Sequence, residues 1–178
     1  MPRAAVNQGW QIGQETTPGL AGAANRKLLA YTAEPAPVIE TAQHRGSGYK
    51  VPTVTQLISE RMSASLEGLL DYRNLIYLLT SAFGSVTPVQ PDPTNAPTVY
   101  QWTWSLDGKS KITPVAYTTE WGEAGAGNAF KFTYSVVTGL AWEIGRAEEN
   151  TLSADLIGQE LLAGQTLTAS PTEIDAEP

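Results

Sequence analysis

Hydrophobic and polar residues alternate along much of the chain, which is the pattern expected of half-buried β-strands. The longest alternating stretch covers residues 53–69, and its apolar residues of one parity are Val54, Ile58, Met62, Ala64 and Leu66. Gln56 and Glu60 interrupt this apolar side, so we expect part of the strand to meet water or a partner. The pattern predicts one long strand that is only partly covered by the core.

Shorter segments of the same kind predict further strands at residues 28–34, 38–43, 99–105, 115–120, 130–136, 140–144 and 151–157. Pro35 and Pro37 cannot donate to a ladder, so they mark either a break between two strands or an edge. A short helix at residues 156–162 is an alternative to the end of the last of these strands.

One segment has the helical period instead. Asp71 is a suitable N-cap and Gly84 a suitable end for a helix over about 71–83. Its apolar residues recur at i, i+3, i+4, i+7 and i+11, and they are Tyr72, Leu75, Ile76, Leu79 and Phe83. We expect this apolar stripe to cover a sheet.

Residues 1–27 show little periodicity and are rich in Gly, Ala, Thr, Gln and Asn. We interpret them as an extended N-terminal arm used in assembly, with Trp10 and Ile12 as candidate contacts to a neighbouring subunit. The alternative is a frayed terminus.

The long segment 84–98 is rich in proline, which disfavours both helix and central strand. Pro88, Pro91 and Pro93 are therefore candidate contacts between subunits on an extended loop, because long loops without secondary structure are often functional. A flexible surface loop is the alternative.

About eight strands, one helix and no fixed repeat predict a mainly β fold, a β-sandwich or partly closed barrel with one flanking α-helix. We expect the arm at 1–27, the β-sandwich domain at 28–170 and an acidic C-terminal tail at 171–178.

The net charge of −7 argues against a nucleic-acid binder, because the surface as a whole repels phosphates. The longest apolar runs, such as residues 75–79, are far shorter than the roughly 20 residues that cross a membrane. We therefore expect neither conventional DNA binding nor membrane insertion.

The chain offers little catalytic chemistry. It has no cysteine, and His44, its single histidine, lies in an expected loop, so we predict no metal site, no cofactor and no catalytic triad. Glu120 and Glu143 are the least unsuitable carboxylate pair for glycoside hydrolysis. We predict that the protein is not an enzyme.

The tryptophans offer a possible sugar-binding platform. Trp102, Trp104 and Trp142 share the parity of expected core residues, which favours core or subunit-interface packing. Only Trp10 and Trp121 are left for sugar binding.

Several segments together resemble the major tail-tube proteins of siphophages, the phages with long non-contractile tails. The segments are 11–19 (QIGQETTPG), 25–29 (NRKLL), 45–50 (RGSGYK), 63–68 (SASLEG), 71–83 (DYRNLIYLLTSAF) and 161–172 (LLAGQTLTASPT). Members of that family often continue into an outer decoration domain. This sequence stops at Pro178, so either this member lacks that domain or the chain is a fragment.

The resemblance implies a virion protein that is made and assembled in the bacterial cytoplasm. It implies subunits that form rings, usually hexamers, which stack head to tail into a conduit for DNA ejection. The implied partners are further copies of the chain, the tape-measure protein, the tail terminator and baseplate proteins.

The acidic balance fits such a conduit, because negative charge along a lumen would let genomic DNA slide through without specific binding. Glu67 and Glu143, on the polar parity of their strands, are the candidate lumen-facing residues. The alternatives are another ring-forming virion component, such as a connector or terminator, a carbohydrate-binding β-sandwich module, and a hydrolase.

Overall fold

The computed structural model describes residues 8–29, 31–105, 113–123, 127–146 and 149–174. Nine strands and one helix lie in these ranges: β1 Gln8–Gln14, β2 Arg26–Leu28, β3 Tyr31–His44, β4 Val54–Leu69, α1 Tyr72–Phe83, β5 Tyr117–Glu123, β6 Ala129–Glu143, β7 Thr151–Gly158, β8 Leu162–Gln165 and β9 Thr172–Ile174. The predicted fold class, mainly β with a flanking helix, is confirmed.

The strands form one large sheet in the order β3-β4-β7-β6-β5-β1-β2-β9, with β8 pairing with β6 off this path. All pairs are antiparallel except β2 with β9, and the sheet does not close into a barrel. Strand β6 joins its two halves, because residues 129–135 pair with β5 and residues 136–143 pair with β7. At the change of partner, Tyr134 has a left-handed backbone with φ of 54°.

Both halves of the sheet contribute to a single core. Phe132, Met62, Leu66 and Leu152 are among its fully buried side chains, and the rings of Trp10 and Phe132 lie 5.8 Å apart. Gly158 is required beside them, since a Cβ there would lie 2.9 Å from Cδ2 of Phe132. The sheet therefore folds over on itself around Phe132.

Strand β1 lies inside the sheet between β5 and β2. It pairs with β5 from Gln8 opposite Glu123 to Gln14 opposite Tyr117. Residues 8–27 of the segment interpreted as an arm thus contain β1 and the first two residues of β2, which belong to the sheet. The use of this segment in assembly stays a prediction. Residues 1–7 of that segment lie outside the described residues.

The helix begins and ends as the sequence predicts. The carboxylate of Asp71 accepts hydrogen bonds from the backbone N–H groups of Arg73 and Asn74, at 2.9 and 3.0 Å. Gly84, with φ of 90°, donates its backbone N–H to the Thr80 carbonyl oxygen. Both ends of the helix are therefore capped.

The face of the helix that is most buried differs from the prediction. Asn74, Leu78 and Ser81 are its buried residues, whereas Tyr72 of the expected apolar stripe is exposed. The hydroxyl of Ser81 donates to the Val115 carbonyl oxygen and accepts from the backbone N–H of Val137, each at 3.0 Å. A polar residue faces the sheet because it bonds to backbone groups there.

Of the two alternatives for Pro35 and Pro37, the edge is confirmed and the break between two strands is wrong, and so is the strand predicted at residues 99–105. Strand β3 runs without a break through Pro35 and Pro37, because it is an edge strand that pairs only with β4 among the described residues. Residues 99–105 form no strand and make a single isolated bridge, between Gln101 and Val89. The indole N–H of Trp104 instead donates to the Gly84 carbonyl oxygen at 3.1 Å.

Candidate functional site

Four strands, β3, β4, β7 and β6, present one face to the core and the opposite face outward. The outward face is built from rows of residues that lie opposite each other on adjacent strands. One row contains Thr32, Glu67, Ser153 and Ala141, and the next contains Glu34, Ser65, Asp155 and Gly139. Because side chains alternate along each strand, the core residues Ala33, Leu66 and Ala154 lie between these rows on the other side.

This outward surface, which we call the acidic face, carries an excess of negative charge. Its carboxylates belong to Glu34, Glu40, Glu67, Asp155 and Glu143, and its cation is Arg61. Arg61 Nη2 lies 3.9 Å from Glu40 Oε1, a distance typical of a weak exposed pair. Small side chains such as Ser63 and Ser65 lie between the carboxylates, whereas Ile157 and Leu69 are exposed apolar residues of the same face.

The two predicted lumen residues lie together on this face. Glu67 is opposite Ser153, and Glu143 is opposite Thr151 in the neighbouring row. The structure adds Glu34 and Asp155 to the same surface. Sequence parity alone could not find them, because it does not give the register between strands.

The outer half of the β3–β4 hairpin extends beyond the rest of the sheet. Strand β4 pairs with β7 only from Met62 to Leu69, so residues 54–61 pair with β3 alone. Large apolar side chains are exposed there and at the turn: Ile39, Tyr49, Val51, Val54, Leu57 and Ile58. A two-stranded ribbon is marginally stable alone, and clustered exposed apolar residues of this kind are typical of interaction surfaces.

At the other end of the hairpin lies an open cavity of about 850 Å³, which we call the Trp142 cavity. It is lined by Thr32, Glu67, Gly68, Leu69, Ala141, Trp142, Glu143, Glu149, Thr151, Leu152 and Ser153. The lining holds three carboxylates and no Lys or Arg, and the Trp142 side chain is 54% exposed. Large exposed aromatic residues of this kind are typical of interfaces.

The predicted contacts in the proline-rich loop lie on the surface. Pro88, Pro91 and Pro93 are all exposed. The loop is held by the Val89–Gln101 bridge and by a hydrogen bond of 2.6 Å from Gln90 Nε2 to the Pro97 carbonyl oxygen. Their role as subunit contacts stays a prediction.

Trp10 and Ile12, the other predicted contacts, are buried in the chain's own core, with 3% and 4% of their surface exposed. Such side chains have almost no surface left for a neighbouring subunit. Trp121 stacks on Phe130, with ring centroids 5.4 Å apart. The two tryptophans considered for sugar binding therefore do not form an open platform.

Two buried carboxylates hold loops to the sheet, and sequence reasoning missed both roles. Glu120 contacts Lys131 Nζ at 2.8 Å and accepts from the backbone N–H and hydroxyl of Thr168, at 2.6 and 3.1 Å. Glu15 accepts from the backbone N–H groups of Gly19 and Tyr134, at 2.6 and 2.9 Å. The Tyr134 bond stabilises β6 where it changes partner.

Glu120 and Glu143 do not form a carboxylate pair. Glu120 lies opposite Lys131 near the start of β6, whereas Glu143 ends that strand. The two carboxylates of a glycosidase are within roughly 10 Å of each other. At about 3.3 Å per residue, the 12 residues from Lys131 to Glu143 in β6 span a much larger distance.

Among the described residues, no group of three or more His, Cys, Asp or Glu side chains could hold a metal ion. No helix in that part of the chain is long and apolar enough to cross a membrane.

Burial raises the pKa of the Tyr117 hydroxyl, and Tyr77 adds to the effect. Burial likewise raises the pKa of Tyr31, and the charge of Asp71 adds to it.

No known protein family and no curated protein matches the sequence. Several solved structures, in contrast, are similar to the structure of this chain. A chain of the six-fold symmetrised anti-feeding prophage baseplate aligns with a TM-score of 0.50 and 10% identity, over 91% of this chain and 95% of that one. A chain of the anti-feeding prophage tube-terminating cap aligns with a TM-score of 0.49 and 8% identity, over 91% and 90%.

A chain from the tail of an empty GTA particle, refined with C6 symmetry, aligns with a TM-score of 0.45 and 9% identity, over 91% of this chain and 98% of that one. The protein thus shares its mainly β fold with the anti-feeding prophage baseplate chain, which aligns with a TM-score of 0.50.

Proposed function

We propose that this chain is the tail-tube subunit of a long-tailed, non-contractile bacteriophage. Copies associate into hexameric rings, and the rings stack into a tube through which the genome passes during DNA ejection. The tube forms in the bacterial host cytoplasm and becomes part of the virion tail. Its partners are further copies of the chain, the tape-measure protein, the tail terminator and the baseplate.

The acidic face is the observation that carries the proposal. It extends over four strands with carboxylates at Glu34, Glu67, Asp155 and Glu143, separated by small residues such as Ser65. DNA-binding proteins neutralise phosphates with Lys and Arg, whereas this surface repels them. Such a face suits the wall of a conduit in which DNA must move freely.

The fold supports assembly in rings, since the baseplate chain that shares it belongs to a six-fold symmetrised particle. The open sheet and the uncovered hairpin provide separate surfaces for lateral and axial contacts. Different surfaces that meet between copies give closed rings or open filaments, depending on the rotation.

Negative-stain electron microscopy of the full chain at increasing concentration tests the tube. We expect rings that lengthen into hollow filaments as the concentration rises. Monomers at every concentration would contradict the proposal.

Retention of DNA by assembled tubes tests the lumen. Tubes of the natural sequence should not retain DNA at low salt, whereas tubes of the Glu34→Lys/Asp155→Lys variant should. That retention should fall steeply with salt, because each neutralised phosphate contributes about −0.9 to the slope of log K against log salt concentration. Tubes with Glu160→Lys, an exposed carboxylate outside the acidic face, are the control. Tight DNA binding by tubes of the natural sequence would contradict a repelling lumen.

A second candidate is a ring-forming component at the end of a tube, such as a connector or terminator. The likeness to a baseplate chain favours it. Such a component should form rings whose stacks do not lengthen with concentration, which the same microscopy distinguishes.

A further inference from the structure

The turn of the β3–β4 hairpin has a distinct chemistry, and we call residues 45–53 the hairpin tip. Between Glu40 and Glu60 the sequence contains Arg45 and Lys50 and no Asp or Glu. Tyr49 and Val51 are exposed beside these cations. The hairpin tip is therefore a basic surface with an apolar centre in an otherwise acidic protein.

The Trp142 cavity has the complementary chemistry. Glu67, Glu143 and Glu149 line it together with Trp142 and Leu69, both of which are exposed. A tryptophan face attracts Lys and Arg side chains, and nearby carboxylates add to that attraction. The cavity thus offers both an aromatic surface and negative charge to a group such as the hairpin tip.

The two surfaces lie at opposite ends of the same pair of strands. Tyr31 opposite Gly68 marks the cavity end, and His44 opposite Val54 marks the tip end. At about 3.3 Å per residue, these ends are roughly 45 Å apart, so one chain cannot place its own tip in its own cavity. A partner for either surface must therefore come from another molecule, and a second copy carries both complementary surfaces.

We propose, on the basis of the proposed tube function, that the hairpin tip of one copy binds in the Trp142 cavity of the next copy along the tube axis. This contact joins two different surfaces, so each added copy presents a new free tip and a new free cavity. The contact therefore propagates in one direction and sets an axial repeat of about 45 Å or less. It also covers the apolar residues of the tip. Because Glu67 and Glu143 line the cavity, the contact covers that end of the acidic face and leaves Glu34 and Asp155 to face the conduit.

Disulfide cross-linking tests the contact directly, because the chain contains no cysteine of its own. We choose Ser47→Cys on the hairpin tip and Ser153→Cys in the cavity, both at exposed positions. A disulfide requires Cα atoms within about 7 Å of each other. The full chain carrying both substitutions should give a ladder of oxidised dimers, trimers and longer species. The control, Ser47→Cys with Ser85→Cys, should give none.

The outcomes separate this inference from the proposed function. Tubes without a ladder overturn the tip-to-cavity contact and leave the tube function standing. A ladder without tubes supports the contact and contradicts the tube function. Neither tubes nor a ladder contradicts both.

Charge reversal provides a second test that does not depend on cysteine geometry. Arg45→Glu/Lys50→Glu and Glu143→Lys/Glu149→Lys should each raise the concentration needed for assembly about tenfold or more. Combining all four substitutions should restore assembly. Combining Arg45→Glu/Lys50→Glu with Glu34→Lys/Asp155→Lys, which has the same net charge, should not. Equal recovery in both combinations would overturn the contact.

Discussion

Glu120 is completely buried in β5, and its carboxylate joins the C-terminal segment to the sheet. Replacing it with alanine removes the partner of Lys131 Nζ, at 2.8 Å, and the acceptor of two hydrogen bonds from Thr168, at 2.6 and 3.1 Å. The segment that follows is also held by the short parallel pairing of β9 with β2, by the Thr172 backbone N–H, which donates to the Asn25 carbonyl oxygen, and by the Ala24 backbone N–H, which donates to the Thr168 hydroxyl.

The loss of stability in Glu120→Ala depends on whether the charge of Lys131 stays buried without a partner. Breaking a buried ion pair costs about 3–5 kcal/mol when the remaining charge is trapped. The Lys131 side chain keeps 22% of its surface exposed, so its ammonium can turn towards water. We therefore expect the lower end, about 3 kcal/mol, which lowers Tm by about 6–12 °C in a chain of this size.

Urea denaturation followed by circular dichroism measures the loss of stability, and hydrogen exchange measures the release of residues 166–174. Glu120→Gln keeps an acceptor for the Thr168 N–H but loses the charge, so it should cost about half as much. Glu160→Ala, at an exposed position, should stay within about 0.5 kcal/mol of the natural sequence. A similarly small effect of Glu120→Ala, with unchanged exchange in the C-terminal segment, would refute the reasoning.

Phe132→Ala should cost about 3–5 kcal/mol by chemical denaturation, because it empties the centre of the core, and a cost below about 1 kcal/mol would contradict that position. Gly122→Ala should destabilise by about 2 kcal/mol or more, since its Cβ would lie 2.5 Å from a backbone oxygen, whereas Gly48→Ala, with open space, should cost only about 1 kcal/mol. Burial, with a smaller effect of Tyr77, raises the pKa of Tyr117, so the folded state holds this proton more tightly than the unfolded chain does. The corresponding stability is present below pH about 10 and is lost as the pH rises further. In alkaline titrations followed by circular dichroism, Tyr117→Phe should therefore lose less stability than the natural sequence does. An identical loss in both proteins would contradict this.

Local patterns in the sequence were sufficient for some elements. The spacing of apolar residues and the caps Asp71 and Gly84 predicted the helix, which spans Tyr72–Phe83. The alternation over residues 53–69 predicted β4, which spans Val54–Leu69. Both elements are specified by residues close together in the chain, which is why the sequence reveals them.

Other features depend on contacts between distant segments. The buried side of the helix is set by Ser81, which bonds to backbone groups of Val115 and Val137. Trp10 is buried because β1 pairs with β5, more than a hundred residues later. Neither contact leaves a periodic signal, so the sequence predicted a different helix face and gave no sign that β1 pairs within the sheet.

The candidate surfaces also combine features that local patterns predict with features that depend on distant contacts. Parity placed Glu67 and Glu143 on the polar side of their strands, and both lie on the acidic face. The alignment of Asp155 with Glu34 and the opposition of the hairpin tip to the Trp142 cavity depend on strand order and register. These are properties of the whole sheet, so no single segment encodes them.

Pro35 and Pro37 on β3 have a consequence for how such a subunit avoids misassembly. A proline fits a strand only where its nitrogen faces away from the neighbouring strand, so we place both nitrogens on the free edge. The edge of β3 lacks the two backbone N–H donors of Pro35 and Pro37. A further strand that approached this edge could therefore not form a continuous ladder with it. This edge is thereby protected from growing into amyloid-like ribbons. In the proposed tube, copies would therefore associate through surfaces other than this strand edge.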